Sequence, residues 1–122
     1  MKTNKKYVLY GVIACSFAIG CAEIIEKDLE GKKVVVSAPS DNVRSDTSAV
    51  LFLWQPLDGA AGYELQIAHP AFDSTVSITA DTNLTNTFIR LPLPSGSFQW
   101  RVRAYNNSSS SEYSDIRHMI IP

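Results

Sequence analysis

Few side chains in this sequence could carry out acid, base or metal chemistry. The two histidines, His69 and His118, lie far apart in the chain, without a cysteine partner and without the His-x-x-x-His spacing of a metal site. No serine stands in a Gly-x-Ser-x-Gly turn, and no glycine-rich phosphate loop is present. We therefore expect no catalytic residue, no metal and no cofactor. The alternative is a hydrolase or metal enzyme, which would require that mutating both histidines abolishes a measured turnover.

Cys21 is the side chain whose neighbours indicate a covalent modification. Lysines open the chain, a mostly apolar run covers residues 7–19, and small residues come directly before the cysteine, as in a secretory signal peptide. The apolar run is shorter than the roughly 20 residues that a membrane-spanning helix needs. The pattern predicts a signal peptide over residues 1–20, whose removal leaves Cys21 as the first residue. Cys15 would be lost with it, so the mature chain has no internal disulfide.

The residues Ala18-Ile19-Gly20-Cys21 resemble the lipobox of bacterial lipoproteins, with alanine where leucine is usual. The resemblance implies that Cys21 is lipidated and that the chain is attached to a membrane through this lipid. Ala22 after the cysteine resembles lipoproteins sorted to the outer membrane, where the domain would face the periplasm or the cell surface. The alternative is an ordinary signal peptide followed by an unmodified cysteine.

Residues 21–33 are charged and contain few apolar side chains, which is typical of a flexible tether. Their acidic residues resemble the acid-rich stretch of surface-exported lipoproteins in some Gram-negative bacteria, and a plain soluble spacer is the alternative. The whole chain has 12 acidic and 11 basic residues, and the leader takes only basic ones away. This balance gives no indication of a nucleic-acid partner.

Seven short apolar runs follow the tether, with turn residues between them about every eight to twelve positions. The runs cover residues 34–38, 49–54, 63–68, 75–79, 87–93, 98–105 and 117–121. Apolar and polar residues alternate within most of them, so each strand offers one apolar face to a shared core. The pattern predicts one all-β domain over residues 34–122, a seven-stranded antiparallel β-sandwich.

The motifs of this domain are similar to those of fibronectin type III domains. They are Trp54-Gln-Pro, the stretch from Gly59 to Ile67, and the run from Phe98 to Asn106 with Tyr113-Ser114 after it. The resemblance covers residues 34–122 and implies an immunoglobulin-like sandwich, a fold that does not by itself imply a function. Phe98 stands where the family normally has a tyrosine whose hydroxyl caps the preceding corner, so that hydrogen bond should be missing.

The two tryptophans, Trp54 and Trp100, could stack on sugars or fill the core. Both fall on the inward face of their predicted strands. We therefore expect them to pack between the two sheets.

An outward row of Arg101, Arg103 and Tyr105 is the candidate binding surface, with Glu64 and Gln66 expected on the neighbouring strand. Such a row could bind an anionic or sugar ligand, and the alternative is a solvated face of cross-strand charge pairs. Aromatic side chains of the loops are added to it, because sandwich loops often form binding surfaces. The full candidate surface is Arg101, Arg103, Tyr105, His69, Phe72 and Tyr113.

Ser74 is a candidate for covalent modification. Asp73-Ser74-Thr75 resembles the acceptor motif of one bacterial O-glycosylation system. Ser74 could be glycosylated only if this three-residue motif lies in an exposed loop.

The whole chain resembles small fibronectin-like lipoproteins of glycan-harvesting Gram-negative bacteria. The resemblance implies a monomeric, membrane-anchored binding or accessory module, with a glycan or a surface protein complex as partner. The alternative function is a passive spacer domain without a ligand.

Overall fold

Eight β-strands form the described part of the protein. The computed structural model describes residues 26–46, 49–74 and 77–122, so the predicted signal peptide and Cys21 lie outside the described residues. In chain order the strands are β1 (Val36–Ala38), β2 (Val43–Arg44), β3 (Ala49–Trp54), β4 (Gly62–His69), β5 (Ser77–Leu84), β6 (Phe88–Pro92), β7 (Gly96–Tyr105) and β8 (Arg117–Ile121). Among the described residues, no helix is long and apolar enough to cross a membrane.

The strands build two sheets that pack face to face. One has the order β1-β3-β6, and the other has the order β2-β8-β7-β4-β5. The predicted all-β sandwich is confirmed, and each of the seven predicted runs contains a strand. The strand count and the purely antiparallel pairing need correction, because the short β2 is an eighth strand and pairs with β8 in parallel.

β2 exists because the chain changes sheets between β1 and β3. Asn42, with a φ of 61°, turns the backbone there. The N–H groups of Asn42 and Ser45 then donate to the carbonyls of His118 and Ile120 at distances of 2.8 and 3.0 Å. The Arg117 guanidinium donates to the carbonyls of Val36 and Pro39, both at 2.9 Å, and so ties the end of β1 to β8.

The core lies between the sheets and follows the predicted alternation. Phe52, Leu65, Trp100 and Val102 are fully buried, and Trp54 is 1% exposed. The ring of Trp100 contacts that of Phe52 edge-on at a centroid distance of 5.1 Å, a geometry that adds about 0.5–1.5 kcal/mol to the burial of area. The expectation that both tryptophans fill the core is confirmed.

The fold begins earlier than Val34, the first residue of the predicted domain. Leu29, within the predicted tether, has no exposed surface and belongs to the core cluster. Its N–H donates to Ser109 Oγ at 2.9 Å, on the loop after β7. Residues 26–33 are therefore packed against the sandwich as part of the domain.

Candidate functional site

The outer face of the five-stranded sheet carries a stack of aromatic rings and guanidinium groups. Arg101 lies on β7 directly opposite Gln66 on β4, and its Nε donates to Gln66 Oε1 at 2.9 Å. Its Cζ lies 4.1 Å from the ring centroid of Phe72 and 4.1 Å from that of Tyr113. One guanidinium thus makes cation-π contacts with two rings.

The stack continues along β7 to Arg103. Its Cζ lies 4.9 Å from the Tyr113 ring, and its Nε forms an ion pair with Glu64 Oε1 at 2.7 Å. The Tyr113 hydroxyl donates to the same carboxylate oxygen at 2.8 Å. Partial burial, followed by this hydrogen bond to a carboxylate, raises the pKa of the Tyr113 phenol. The phenol therefore stays neutral to higher pH than an ordinary tyrosine.

The two rings reach Arg101 from opposite ends of the sandwich. Phe72 lies between β4 and β5, and its N–H donates to Gln99 Oε1 on β7 at 3.0 Å. Tyr113 lies between β7 and β8, next to Ser114, whose hydroxyl accepts from the Val102 N–H at 3.0 Å. Backbone and side-chain hydrogen bonds thus fix both loops over the sheet.

A polar groove adjoins the stack near the end of β7. Its volume is about 410 Å³, within the range of sites that hold small molecules. Gly62 leaves room for the Tyr105 side chain, because a Cβ there would lie 2.5 Å from the Tyr105 hydroxyl. The groove is lined by Glu64, Asn83, Arg103, Tyr105, Asn106 and Ser110.

The structure therefore brings together five of the six residues of the candidate surface. Arg101, Arg103, Phe72 and Tyr113 form the stack, and Tyr105 lines the groove. His69 does not join them. Its ring packs on Phe98 at a centroid distance of 5.0 Å, and its Nδ1 lies 2.8 Å from the Ser97 carbonyl oxygen.

Ser74 and His118 also lie away from the stack. Ser74 is exposed in the loop between β4 and β5, where its hydroxyl donates to the Ala71 carbonyl at 3.2 Å. His118 Nδ1 lies 3.0 Å from Asp41 Oδ1. Hydrogen bonds from the His118 backbone and ring lower the pKa of the Asp41 carboxyl. The described residues contain no cluster of three or more His, Cys, Asp or Glu side chains that could hold a metal ion.

Solved structures with this arrangement of strands are known. A human fibronectin type III domain has a TM-score of 0.55 and 18% identity, with 72% of each chain covered. This protein has the fibronectin type III fold. A Fn3-like protein from Clostridium thermocellum aligns with a TM-score of 0.51 and 15% identity over 80% of this chain and 94% of that one. The fibronectin type III domain of human fibronectin type III domain containing protein 3 aligns with a TM-score of 0.53 and 13% identity over 78% of this chain and 89% of that one.

At these identities the likeness establishes the fold alone. No family model matches the sequence, and no curated protein is similar to it. The function must therefore be argued from the residues of this chain.

Proposed function

We propose that this protein is a lipid-anchored, extracytoplasmic binding module that takes an acidic glycan on the outer face of its five-stranded sheet. The observation that carries the proposal is the setting of Arg101 between Phe72 and Tyr113. The proposed role is binding without catalysis, and the anchor is the lipid on Cys21.

Arg101 is held in place, and within the part of the chain that the structure describes its guanidinium forms no ion pair. Within the described residues its side chain hydrogen-bonds only to the uncharged amide of Gln66, through Nε. The rings of Phe72 and Tyr113 lie against the guanidinium, and in the described ranges no hydrogen bond occupies its two terminal nitrogens. The edge that carries these nitrogens matches the two oxygens of a carboxylate. Because the group is already fixed, binding costs little side-chain entropy.

The groove beside the stack suits the remainder of a sugar chain. Hydroxyl and amide groups from Tyr105, Asn83 and Ser110 line it, and such groups hydrogen-bond well to sugar hydroxyls. Arg103 at its edge is already paired with Glu64 and therefore adds less charge than Arg101. A uronic acid whose carboxylate meets Arg101, with the next sugar in the groove, fits this arrangement.

The first prediction concerns the ligand. On a glycan array, the mature chain carrying Cys21→Ala should bind uronate-containing glycans and not their neutral counterparts. Arg101→Gln should weaken this binding about tenfold or more, since hydrogen bonds to charged groups contribute roughly 1.5–3 kcal/mol. Arg101→Lys should bind more tightly than Arg101→Gln but more weakly than the native chain, because lysine keeps the positive charge but lacks the paired N–H donors of a guanidinium.

Arg90→Gln is the matched control, because Arg90 is exposed on β6 of the other sheet. It should leave binding unchanged, and a thermal melt of each variant checks that the fold is kept. An array without any signal above background would favour the passive spacer instead.

The second prediction concerns the anchor. Cells fed a palmitate analogue should label the native chain, and Cys21→Ala should abolish the label because it removes the thiol on which the lipid is built. The support is the leader sequence over residues 1–20, directly before Cys21. Equal labelling of the two chains would contradict the anchor and leave the binding face as a separate question.

A further inference from the structure

The N-terminal strap, defined as residues 26–35, contacts one end of the sandwich over the whole length of the strap. Glu26 accepts a hydrogen bond from the Asn107 N–H at 3.2 Å, and the Lys27 carbonyl accepts one from Asn106 Nδ2 at 2.7 Å. The Lys27 ammonium pairs with the Asp58 carboxylate, which lowers the pKa of that carboxyl. The start of the described chain is thus fixed to the loops that follow β3 and β7.

The strap continues as an edge segment beyond Leu29. The Glu112 N–H donates to the Lys32 carbonyl at 2.7 Å, and Lys33 pairs with Asp115. The Val35 carbonyl accepts from the Gln55 N–H at 2.8 Å, so the strap passes directly into β1. These contacts, with the full burial of Leu29, leave the strap no freedom to act as a tether.

The chain between Cys21 and the first fixed residue is therefore short. Glu26 is five positions after Cys21 in the sequence, and a fully extended chain spans at most about 18 Å over that distance. A tether that ended at Lys33, as the composition suggested, would reach ~45 Å. The ten-residue strand β7 is ~30 Å long, so the longer tether would exceed the length of this strand, whereas the short connection does not. With the short connection, the sandwich cannot turn its far end toward the point of attachment.

We infer that the end of the sandwich formed by loops 55–61 and 106–116 faces the membrane, and that residues 70–74 and the turn before β7 point away from it. The inference rests on the proposed lipid at Cys21. It places the groove beside Tyr105 in the membrane-proximal half of the domain and leaves the Arg101 stack on its side wall. A glycan attached to the same membrane can therefore reach this face without bending around the domain.

The surface charge of the membrane-facing end does not attract this end to an anionic membrane, so the lipid has to hold it at the surface. Acidic side chains outnumber basic ones on the strap and its two loops, so an anionic lipid surface would repel this end rather than attract it. The orientation then depends on the length of the connection. A longer connection should therefore abolish the preferred orientation without any change to the domain.

The experiment measures energy transfer from a dye on the domain to an acceptor on lipid headgroups. The lipidated mature chain is reconstituted in phosphatidylcholine vesicles with Asn107→Cys or Asp73→Cys as the dye position. Both residues are exposed, and they lie about 25 Å apart along β7, so transfer should be at least roughly twofold more efficient at position 107.

A flexible insert of 20 Gly and Ser residues between Ala22 and Glu23 is the decisive variant. Its r.m.s. span of about 25 Å should bring the two transfer efficiencies close together. Equal efficiencies in the chain without the insert, with the protein retained on the vesicles, would overturn the inference. Failure of the protein to stay on the vesicles would instead refute the proposed anchor. Unfolding by the labels is checked from the tryptophan fluorescence of each sample.

Discussion

A domain that starts at Val34 should be about 4 kcal/mol less stable to unfolding than one that starts at Glu26. The shorter domain lacks Leu29, and removing a buried leucine side chain costs about 2–5 kcal/mol because a cavity remains. It also leaves Ser109 and Asn106 without their partners on the strap, at roughly 1 kcal/mol for each hydrogen bond. Urea unfolding of residues 26–122 and 34–122, followed by tryptophan fluorescence, measures the difference.

Leu29→Ala in the longer domain removes only the contact of this side chain with the core, and it should lower the free energy of unfolding by about 3 kcal/mol. Val35→Ala is the matched control, because Val35 lies on the same strap with 64% of its surface exposed, and it should change stability by less than about 0.5 kcal/mol. If the two domains unfold at the same urea concentration, the strap contributes nothing and residues 26–33 act as the tether that their composition suggests.

The strap shows why the domain boundary could not be predicted from the sequence. Leu29 stands alone in a charged segment, so no period of two or 3.6 residues reveals that it is buried. Its hydrogen-bond partner Ser109 is 80 residues away in a polar loop. The core strands differ in this respect, because β3 and β7 each repeat the inward position several times. Repetition within a strand makes burial predictable, and a single long-range contact does not.

The residues of the candidate site also differ in how far their positions can be predicted from the sequence. Arg101 and Gln66 could be placed opposite each other, because both have outward positions on strands expected to be neighbours. Phe72 and Tyr113 could be recognised as loop aromatics, but their positions on Arg101 depend on loop paths that follow no period. Residue type alone groups His69 with them, whereas its ring contacts Phe98. Strand β2 likewise depends on backbone hydrogen bonds, which leave no side-chain pattern.

Asn106 joins the strap to the loop beside the groove. It is buried, with 8% of its surface exposed. Its Nδ2 donates to the carbonyls of Lys27 and Gly59 at 2.7 and 3.1 Å. Its Oδ1 accepts from the backbone N–H groups of Ser108 and Ser109 at 3.0 and 2.9 Å. One amide therefore satisfies two backbone acceptors and two backbone donors.

Asn106→Ala should consequently lower the free energy of unfolding by about 3 kcal/mol, because several backbone groups lose their partner and each buried one costs about 1–3 kcal/mol. Asn107→Ala, at the exposed neighbouring position, should cost less than about 0.5 kcal/mol. In the domain that begins at Val34 the same Asn106→Ala change should cost less, because the Lys27 carbonyl is absent there. The free-energy losses from Asn106→Ala and from removal of residues 26–33 should therefore sum to about 1 kcal/mol more than the loss when both changes are made together. Additive losses would show that the hydrogen bond from Asn106 to the Lys27 carbonyl contributes nothing to stability, and the strap would then be held to the domain by Leu29, its ion pairs and its other hydrogen bonds.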